Sequence, residues 1–311
     1  RILHNGEWSA LNEAWFGLRL DLRITEIHFH PAENPDHEFI EITNSSTETA
    51  DLSGVTFFDG IQFTFPNGII LEAGKSLVLV VNEIAFKEKY PDVPVSGTYT
   101  GRLRNEGERI ALGTPTAELF AVTYNNKKPW PSATEGKGFS LVLKDSTGNA
   151  DPTDPTNWRI STKPGGSPGD SDPDPRQDTD ADALPDSWEY LHFGNLQQTA
   201  ITDPDHDGYA NLLEFALGSK PAKATSISHP AAGLHQGTHL TLTYRRPANL
   251  QGWTYRVEVS ADLQAWQTGF THVEILSTTP AGDEEIITAR DTTPVSSSTS
   301  TRFIRLVIES P

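Results

Sequence analysis

The chain has 311 residues, enough for two or three domains, and its 42 acidic and 24 basic side chains give a net charge of −18. This acidic balance argues against nucleic acid as a partner, because phosphates are bound by lysine and arginine. Cysteine is absent, which excludes disulfides, and no apolar run is long enough for a membrane span. Methionine and a signal peptide are also absent, so we expect a fragment of a longer protein or a processed product.

Residues 1–19 are expected to be the end of a preceding module, and short apolar runs alternate with turns in the chain that follows. The segment EIAFKEKY predicts a helix that ends before Pro91, with Ile84 and Phe86 on its inner side. Asp59-Gly60 is a hairpin signal between two of the strand-like runs. These runs are LRITEIHF, EFIEIT, VTFF, IQFTF, SLVLVV, RIAL, LFAVTY and FSLVLK, and their order predicts a β-sandwich.

Several of these segments resemble a known family. The runs ITEIHFHP, EFIEITNSS, DLSGVTF, FPNG, LEAGKSLVLV, PWP, GFSLVL and DPTNW, with the G-x-L-x-N-x-G pattern from Gly101 to Gly107, resemble the lamin tail domain in order and spacing. The resemblance implies an immunoglobulin-like β-sandwich that binds or scaffolds and has no catalytic residues. In bacteria such modules occur in large exported proteins, often beside hydrolases or spore-coat-H-like kinases. We therefore expect this domain over 20–169, a linker over 170–177, and Trp158 packed on the sandwich.

A catalytic site in this domain is the less favoured interpretation. Glu26, His28 and His30 alternate along one predicted strand and share a face, as three metal ligands would. Polar residues at sheet edges and loops give the same pattern more often. The chain also has no G-x-S-x-G elbow and no G-x-x-x-x-G-K-[ST] phosphate loop. We therefore expect no enzymatic activity.

Two acidic windows of twelve residues follow the linker. They read DTDADALPDSWE (178–189) and DPDHDGYANLLE (203–214), which is the ligand spacing of an EF-hand calcium loop. In such loops the side chains at positions 1, 3 and 5 converge, position 7 offers a carbonyl, position 9 ligates often through water, and the position-12 carboxylate clamps the ion. The predicted ligands are Asp178, Asp180, Asp182, Leu184, Asp186 and Glu189 in the first loop, and Asp203, Asp205, Asp207, Tyr209, Asn211 and Glu214 in the second.

The ligand chemistry predicts two calcium ions. All donors are hard oxygens, and flexible coordination by six to eight of them suits calcium better than magnesium or zinc. Residues 170–214 hold twelve acidic side chains and one arginine, a net charge of −11, which divalent cations would neutralise. The second loop matches better because Gly208 supplies the sharp turn at position 6, where the first loop has Ala183. The alternative is a solvated acidic linker.

The segments LPDSWEYLHFGN and YANLLEFALGSKP, which follow the two sets of aspartates, resemble the bacterial thrombospondin type 3-like repeat and dockerin loop–helix pairs. In that family the repeats are rigid, calcium-dependent spacers between domains. We therefore expect a small α-helical, EF-hand-like calcium module over 178–221.

Residues 222–311 alternate apolar with polar side chains and predict a second, C-terminal β-sandwich. Ile304, Leu306 and Ile308 are expected to point inward. Trp253, Tyr255 and Trp266 could form a platform on which a sugar ring stacks, but such aromatics belong more often to a core.

Together these patterns predict a mainly β, non-enzymatic, calcium-binding scaffold or adhesion segment of a secreted bacterial protein at the cell surface. In this interpretation a calcium-rigidified spacer fixes the geometry of two sandwiches. The expected partners are other domains of the same chain and a cell-surface protein or polysaccharide. The alternative is an accessory region, for targeting or carbohydrate binding, of a larger secreted hydrolase or spore-coat-H-like kinase.

Overall fold

The computed structural model describes residues 3–9, 20–131, 136–147, 150–224, 230–248, 250–296 and 301–311. Its chain divides into two compact units, Arg1–Asp172 and Pro173–Pro311. The division falls within the segment 170–177. Both units are built mainly from strands, and the helices are few and short. The predicted fold class, mainly β with two sandwiches and a small helical segment, is confirmed.

The first unit is a sandwich of two sheets. Its strands are β1 (Leu3–His4), β2 (Glu7–Trp8), β3 (Leu22–His28), β4 (Phe39–Asn44), β5 (Ala50–Asp51), β6 (Thr56–Asp59), β7 (Phe63–Thr64), β8 (Ile70–Leu71), β9 (Ser76–Val80), β10 (Gly97–Thr98), β11 (Arg109–Thr114), β12 (Ala117–Thr123), β13 (Leu141–Leu143) and β14 (Trp158–Ile160), and its helix is α1 (Glu83–Lys89). Among the described residues, one sheet has the order β10-β9-β4-β3-β13-β14 and the other the order β12-β11-β6-β7. Strands β1 and β2, and β5 and β8, pair separately.

The core lies between these sheets because apolar side chains alternate along the strands. Ile40 and Ile42 of β4 point inward, whereas Glu41 points to the opposite face of the sheet, as the period of two requires. Leu112 and Val122 supply the facing layer from the second sheet. The alternation of apolar and polar residues in the sequence therefore predicts correctly which face of the sheet points into the core.

Helix α1 packs against residues of β4 and β9 in the first sheet, and one expectation about it is wrong. Its start is capped by Asn82, whose side chain accepts hydrogen bonds from the N–H groups of Ile84 and Ala85. Phe86 is fully buried and packs edge-on against Phe39, as expected. Ile84, however, is 79% exposed, so its predicted inward orientation is wrong. Side chains two residues apart on a helix are separated by about 200° around its axis, so Ile84 and Phe86 cannot share a face.

Residues 161–172, the C-terminal strap, run over the outer face of the first sheet after β14. The N–H of Ser167 donates to Glu26 Oε1 over 3.0 Å, and the N–H of Gly169 donates to Glu41 Oε2 over 2.9 Å. Asp172 closes the strap by pairing with Arg159 of β14. The strap thus covers these two carboxylates and gives each a backbone N–H donor in addition to the hydroxyl donors Ser140 and Thr25.

Trp158 at the start of β14 packs on the sandwich as predicted. Its side chain is 2% exposed, its ring centroid lies 5.8 Å from that of Trp130, and its indole N–H donates to the Pro152 carbonyl over 2.9 Å.

We expect the stability of the first unit to fall as the pH rises toward 8. Burial raises the pKa of Glu26 to about 8, and it also raises the pKa of the neighbouring Glu41. A group whose pKa is higher in the folded state stabilises the fold below its ordinary value of 4.5, and this stabilisation is lost as the pH rises through the folded value. The loss from this shift is on the order of 3–5 kcal/mol.

Urea denaturation between about pH 4.5 and pH 9, with hydrogen exchange in β3 and β4 as the readout, measures this loss. Glu26→Gln should flatten the profile, because an amide oxygen still accepts the bonds from Ser140 and Ser167 and does not ionise. The exposed Glu106→Gln serves as the matched control and should leave the slope unchanged. A wild-type profile already flat over this range would contradict the prediction.

The second unit contains two short helices and a second sandwich. Its helices are α2 (Asp186–Phe193) and α3 (Asn211–Leu217), and its strands are β15 (Ala231–His235), β16 (His239–Pro247), β17 (Thr254–Ser260), β18 (Val273–Ala281), β19 (Glu284–Asp291) and β20 (Phe303–Glu309). In the part that the structure describes, one sheet has the order β15-β16-β19-β18 and β17 pairs with β20. Ile304 and Leu306 pack on the core between them, as predicted.

The helical segment and the C-terminal sandwich are in direct contact. The Tyr255 hydroxyl donates to the Ala216 carbonyl over 2.6 Å, and the rings of Phe215 and Trp253 meet edge to face with centroids 5.5 Å apart. Helix α3 is therefore anchored on strand β17 and on the residue before it. None of the helices in the described ranges is long and apolar enough to cross a membrane.

Candidate metal centre

The two acidic loops fold alike, 25 positions apart along the chain. In the first, the N–H of Asp186 donates to the Gln177 carbonyl over 2.8 Å, and in the second the N–H of Asn211 donates to the Thr202 carbonyl over 2.8 Å. Each bond ties position 9 to the residue just before the loop. Each loop is thereby closed into a ring, and its helix begins at position 9.

The aspartate at position 1 organises each turn. Asp178 Oδ2 accepts from the N–H of Ala183 over 2.9 Å, and Asp203 Oδ2 accepts from the N–H of Gly208 over 3.0 Å. Ala183 and Gly208 occupy position 6 and have φ values of 77° and 93°. This left-handed conformation is free for glycine but costs a residue with a Cβ about 1 kcal/mol. Ala183 therefore adopts the same turn as Gly208, with strain.

The aspartate at position 5 accepts from the backbone two residues on. Asp182 Oδ1 accepts from the N–H of Leu184 over 2.9 Å, and Asp207 Oδ1 accepts from the N–H of Tyr209 over 2.9 Å. The side chain of Leu184 is fully buried. Asp182 Oδ2 also accepts from the N–H of Ala200 over 2.8 Å, and this bond ties the first loop to the chain that enters the second.

The structure brings most of the predicted side-chain ligands together. Within the described ranges, carboxylate oxygens lie within 4.8 Å of one another in three groups of three. The groups are Asp178, Asp180 and Asp186; Asp180, Asp182 and Glu189; and Asp203, Asp205 and Asp207. Positions 1, 3 and 5 therefore converge in one group in the second loop, whereas in the first loop they fall into two groups that share Asp180 and include Asp186 and Glu189. Glu214 is in none of these groups.

Several oxygens in these loops are buried and have no hydrogen-bond partner among the described residues. The side chains of Glu189, Asn211 and Glu214 are completely buried. Both oxygens of Glu189, Oδ1 of Asn211 and Oε2 of Glu214 lack a partner, as do Oδ1 of Asp203 and Oδ2 of Asp205. Burial of an ionised carboxylate without a partner is strongly unfavourable. The donor set, oxygens only, therefore fits a hard divalent cation.

The same burial raises the pKa of both position-12 glutamates. Burial raises the pKa of Glu189 to about 7, and the nearby carboxylates of Asp180 and Asp182 add to the rise. Burial raises the pKa of Glu214 to about 7 as well, against a hydrogen bond from Ser219 that lowers it. A cation would have to displace these protons, so its affinity would fall below neutral pH.

The side chain at position 9 is oriented by threonines that the sequence pattern did not single out. Asn211 Nδ2 donates to the Thr199 carbonyl over 2.9 Å and to Thr202 Oγ1 over 2.8 Å, which directs Oδ1 away from both. In the first loop, Asp186 accepts from the N–H and hydroxyl of Thr179. These threonines could have been found from the sequence, because Thr202 directly precedes the second loop and Thr179 lies inside the first.

The alternative cluster in the first unit is engaged in structural hydrogen bonds. His28 is fully buried, its Nε2 lies 2.9 Å from the Gly138 carbonyl, and burial lowers its pKa to about 4. Glu26 accepts from Ser140 and Ser167. His30 Nδ1 accepts from the N–H of Gly136 over 3.2 Å. These contacts account for the strand pattern that suggested metal ligands.

A known protein family matches part of the first unit. No curated protein matches this chain. The family model described as Lamin Tail Domain matches residues 19–154, which cover the strands from β3 to β13. An immunoglobulin-like domain of this kind is consistent with a scaffold or adhesion module. The resemblance drawn from the sequence is confirmed for this segment, because residues 19–154 match the lamin tail domain family.

Proposed function

We propose that residues 178–214 bind two calcium ions, one in each loop, and that the chain is a non-enzymatic scaffold or adhesion segment of an exported bacterial surface protein. The observation that carries the proposal is the set of buried oxygens without partners on Glu189, Asn211 and Glu214, beside carboxylates that already converge. A purely solvated acidic linker would leave its carboxylates exposed.

Charge supports calcium as the ion. The first loop presents five carboxylates, and the second presents four carboxylates and one amide. Zinc prefers thiolate and imidazole ligands in a tetrahedron, and magnesium requires a rigid octahedron with several waters. A loop of aspartates closed by a glutamate in the first turn of a helix suits the larger, more flexible shell of calcium.

Bound calcium would act on the second unit through α2 and α3. Glu189 and Glu214 lie in the first turns of these helices, so an ion would hold each helix start to its loop. Trp188 of α2 meets Phe215 of α3 with ring centroids 5.6 Å apart, and Phe215 meets Trp253. The ions would therefore fix the helical segment as a firm attachment for the C-terminal sandwich, which is what a scaffold requires.

Removal of calcium should loosen the second unit and leave the first unchanged. At a calcium concentration of one hundred times Kd, each site would stabilise the unit by about 2.7 kcal/mol. Limited proteolysis with and without EGTA measures this, and cleavage within 175–215 should be faster in the chelator. Peptides from β3 and β4 of the first unit provide the internal control. Equal cleavage rates in both conditions would count against the proposal.

A further inference from the structure

A cavity of about 950 Å³ lies in the second unit beside the first acidic loop. Asp178, Ala183 and Pro185 of that loop form one wall, and Phe215 of α3 and Trp253, which precedes β17, form another. Binding sites for small molecules commonly measure about 300–1,000 Å³. The cavity is therefore large enough for two or three sugar rings or a molecule of similar size.

The apolar part of the cavity lining includes two aromatic rings that contact each other. The rings of Phe215 and Trp253 are inclined by 73° to each other, so they form an angle and not a flat stack. Trp188 supports Phe215 from α2. The other two aromatics that the sequence grouped with Trp253 are engaged elsewhere, because the hydroxyl of Tyr255 binds Ala216 and the ring of Trp266 carries Arg305 at 3.9 Å.

Its polar rim consists of planar groups that compensate one another. Arg176 pairs with Asp174, with Nη2 and Oδ2 2.7 Å apart, and its Nη1 donates to Gln251 Oε1 over 3.2 Å. The arginine is thus already neutralised by a carboxylate, and Asp178 adds a second carboxylate to the lining, so an anionic ligand such as a phosphate would meet a net negative charge. The rim favours a neutral ligand with many hydroxyl groups.

We propose that this cavity binds a neutral carbohydrate, with a pyranose ring packed against Trp253 and its hydroxyls hydrogen-bonded to the rim. A pyranose has an apolar C–H face and a polar edge, and the cavity offers an aromatic face next to carboxylate, amide and guanidinium groups. The ligand class follows from this pairing of surfaces and from the excess of carboxylates over cations in the lining, which disfavours an anion.

The position of the cavity links sugar binding to the proposed function. Asp178 and Ala183 occupy positions 1 and 6 of the first loop, and the hydrogen bond between them shapes the wall. If that loop binds calcium, which rests on the proposed function, the ion fixes the wall and strengthens sugar binding. Phe215 lines the cavity from α3, which begins in the second loop, so the second loop also bears on the cavity wall.

Calorimetric titration of the full chain in saturating calcium with cellohexaose, xylohexaose, mannohexaose and chitohexaose tests the proposal. At least one should bind, and Trp253→Ala should weaken it about tenfold or more, as the loss of one aromatic stacking contact predicts. Trp266→Ala, a tryptophan change in the same sandwich but outside the cavity, should leave the affinity unchanged. Gln251→Ala decides the question if Trp253→Ala does not fold, because Gln251 is exposed and its truncation should also weaken binding.

The outcomes separate this proposal from the calcium proposal. Silence with all four oligosaccharides, or unchanged binding by both cavity variants, would overturn the carbohydrate site. If calcium still binds in two steps, only the sugar proposal has failed. If a sugar binds equally well in EGTA and calcium gives no heat, the calcium proposal has failed and the cavity stands.

Discussion

Replacing Glu214 by glutamine should remove calcium binding from the second loop and leave the first loop able to bind one ion. Glu214 is fully buried at position 12, and its Oε2 has no hydrogen-bond partner among the described residues. An amide cannot clamp the ion through two charged oxygens, so the affinity of this loop should fall by about two orders of magnitude. Isothermal titration calorimetry with calcium should then report one site where the wild type reports two.

The reciprocal variant provides the matched control. Glu189→Gln changes the same position of the first loop and should remove the other site, and the double variant should bind no calcium. Because the folded-state pKa of Glu214 is about 7, the ionised group destabilises the calcium-free fold as the pH rises through that value. In EGTA at pH 8, Glu214→Gln should therefore be at least as stable as the wild type. Two unaltered sites in either single variant would contradict the assignment.

Trp158→Ala should destabilise the first unit by about 3–5 kcal/mol, the usual range for removal of a buried tryptophan. The side chain is 2% exposed, contacts Trp130 and gives its indole N–H to the Pro152 carbonyl, so the change leaves a cavity and an orphaned carbonyl. Urea denaturation followed by hydrogen exchange in β3 and β4 measures the loss. It should be much larger than any change in the second unit.

Trp8→Ala is the comparison within the same unit. Trp8 is 61% exposed on strand β2, so its removal should change the free energy of unfolding by no more than about 0.5 kcal/mol. If Trp158→Ala were as mild as Trp8→Ala, the last strand of the first sheet would not be part of its core.

The parts of the fold that could be predicted are those whose signal is periodic. Ile40 and Ile42 alternate with Glu41, and the buried face follows directly. The convergence of Asp203, Asp205 and Asp207 in the second loop follows in the same way from the spacing 1-3-5. The inward orientation predicted for Ile84 is wrong because residues two apart on a helix of 3.6 residues per turn point in nearly opposite directions.

The remaining features depend on contacts between distant residues. Ser167 binds Glu26 across 141 positions, and Gly169 binds Glu41 across 128, so no local pattern marks these carboxylates as buried. A glutamate in a strand looks like a solvent-facing residue until the chain that covers it is known. The same is true of Trp253, whose partner Phe215 belongs to a different element.

The C-terminal strap determines where the first unit can be cut for recombinant expression. The segment that matches the family ends at residue 154, whereas the compact unit extends to Asp172. A product truncated at 154 would lack β14 and the strap, and with them Trp158 and the amides that bind Glu26 and Glu41. Transplanting this domain onto another protein therefore requires the tail through Asp172, because a graft defined by homology alone would leave two carboxylates uncovered.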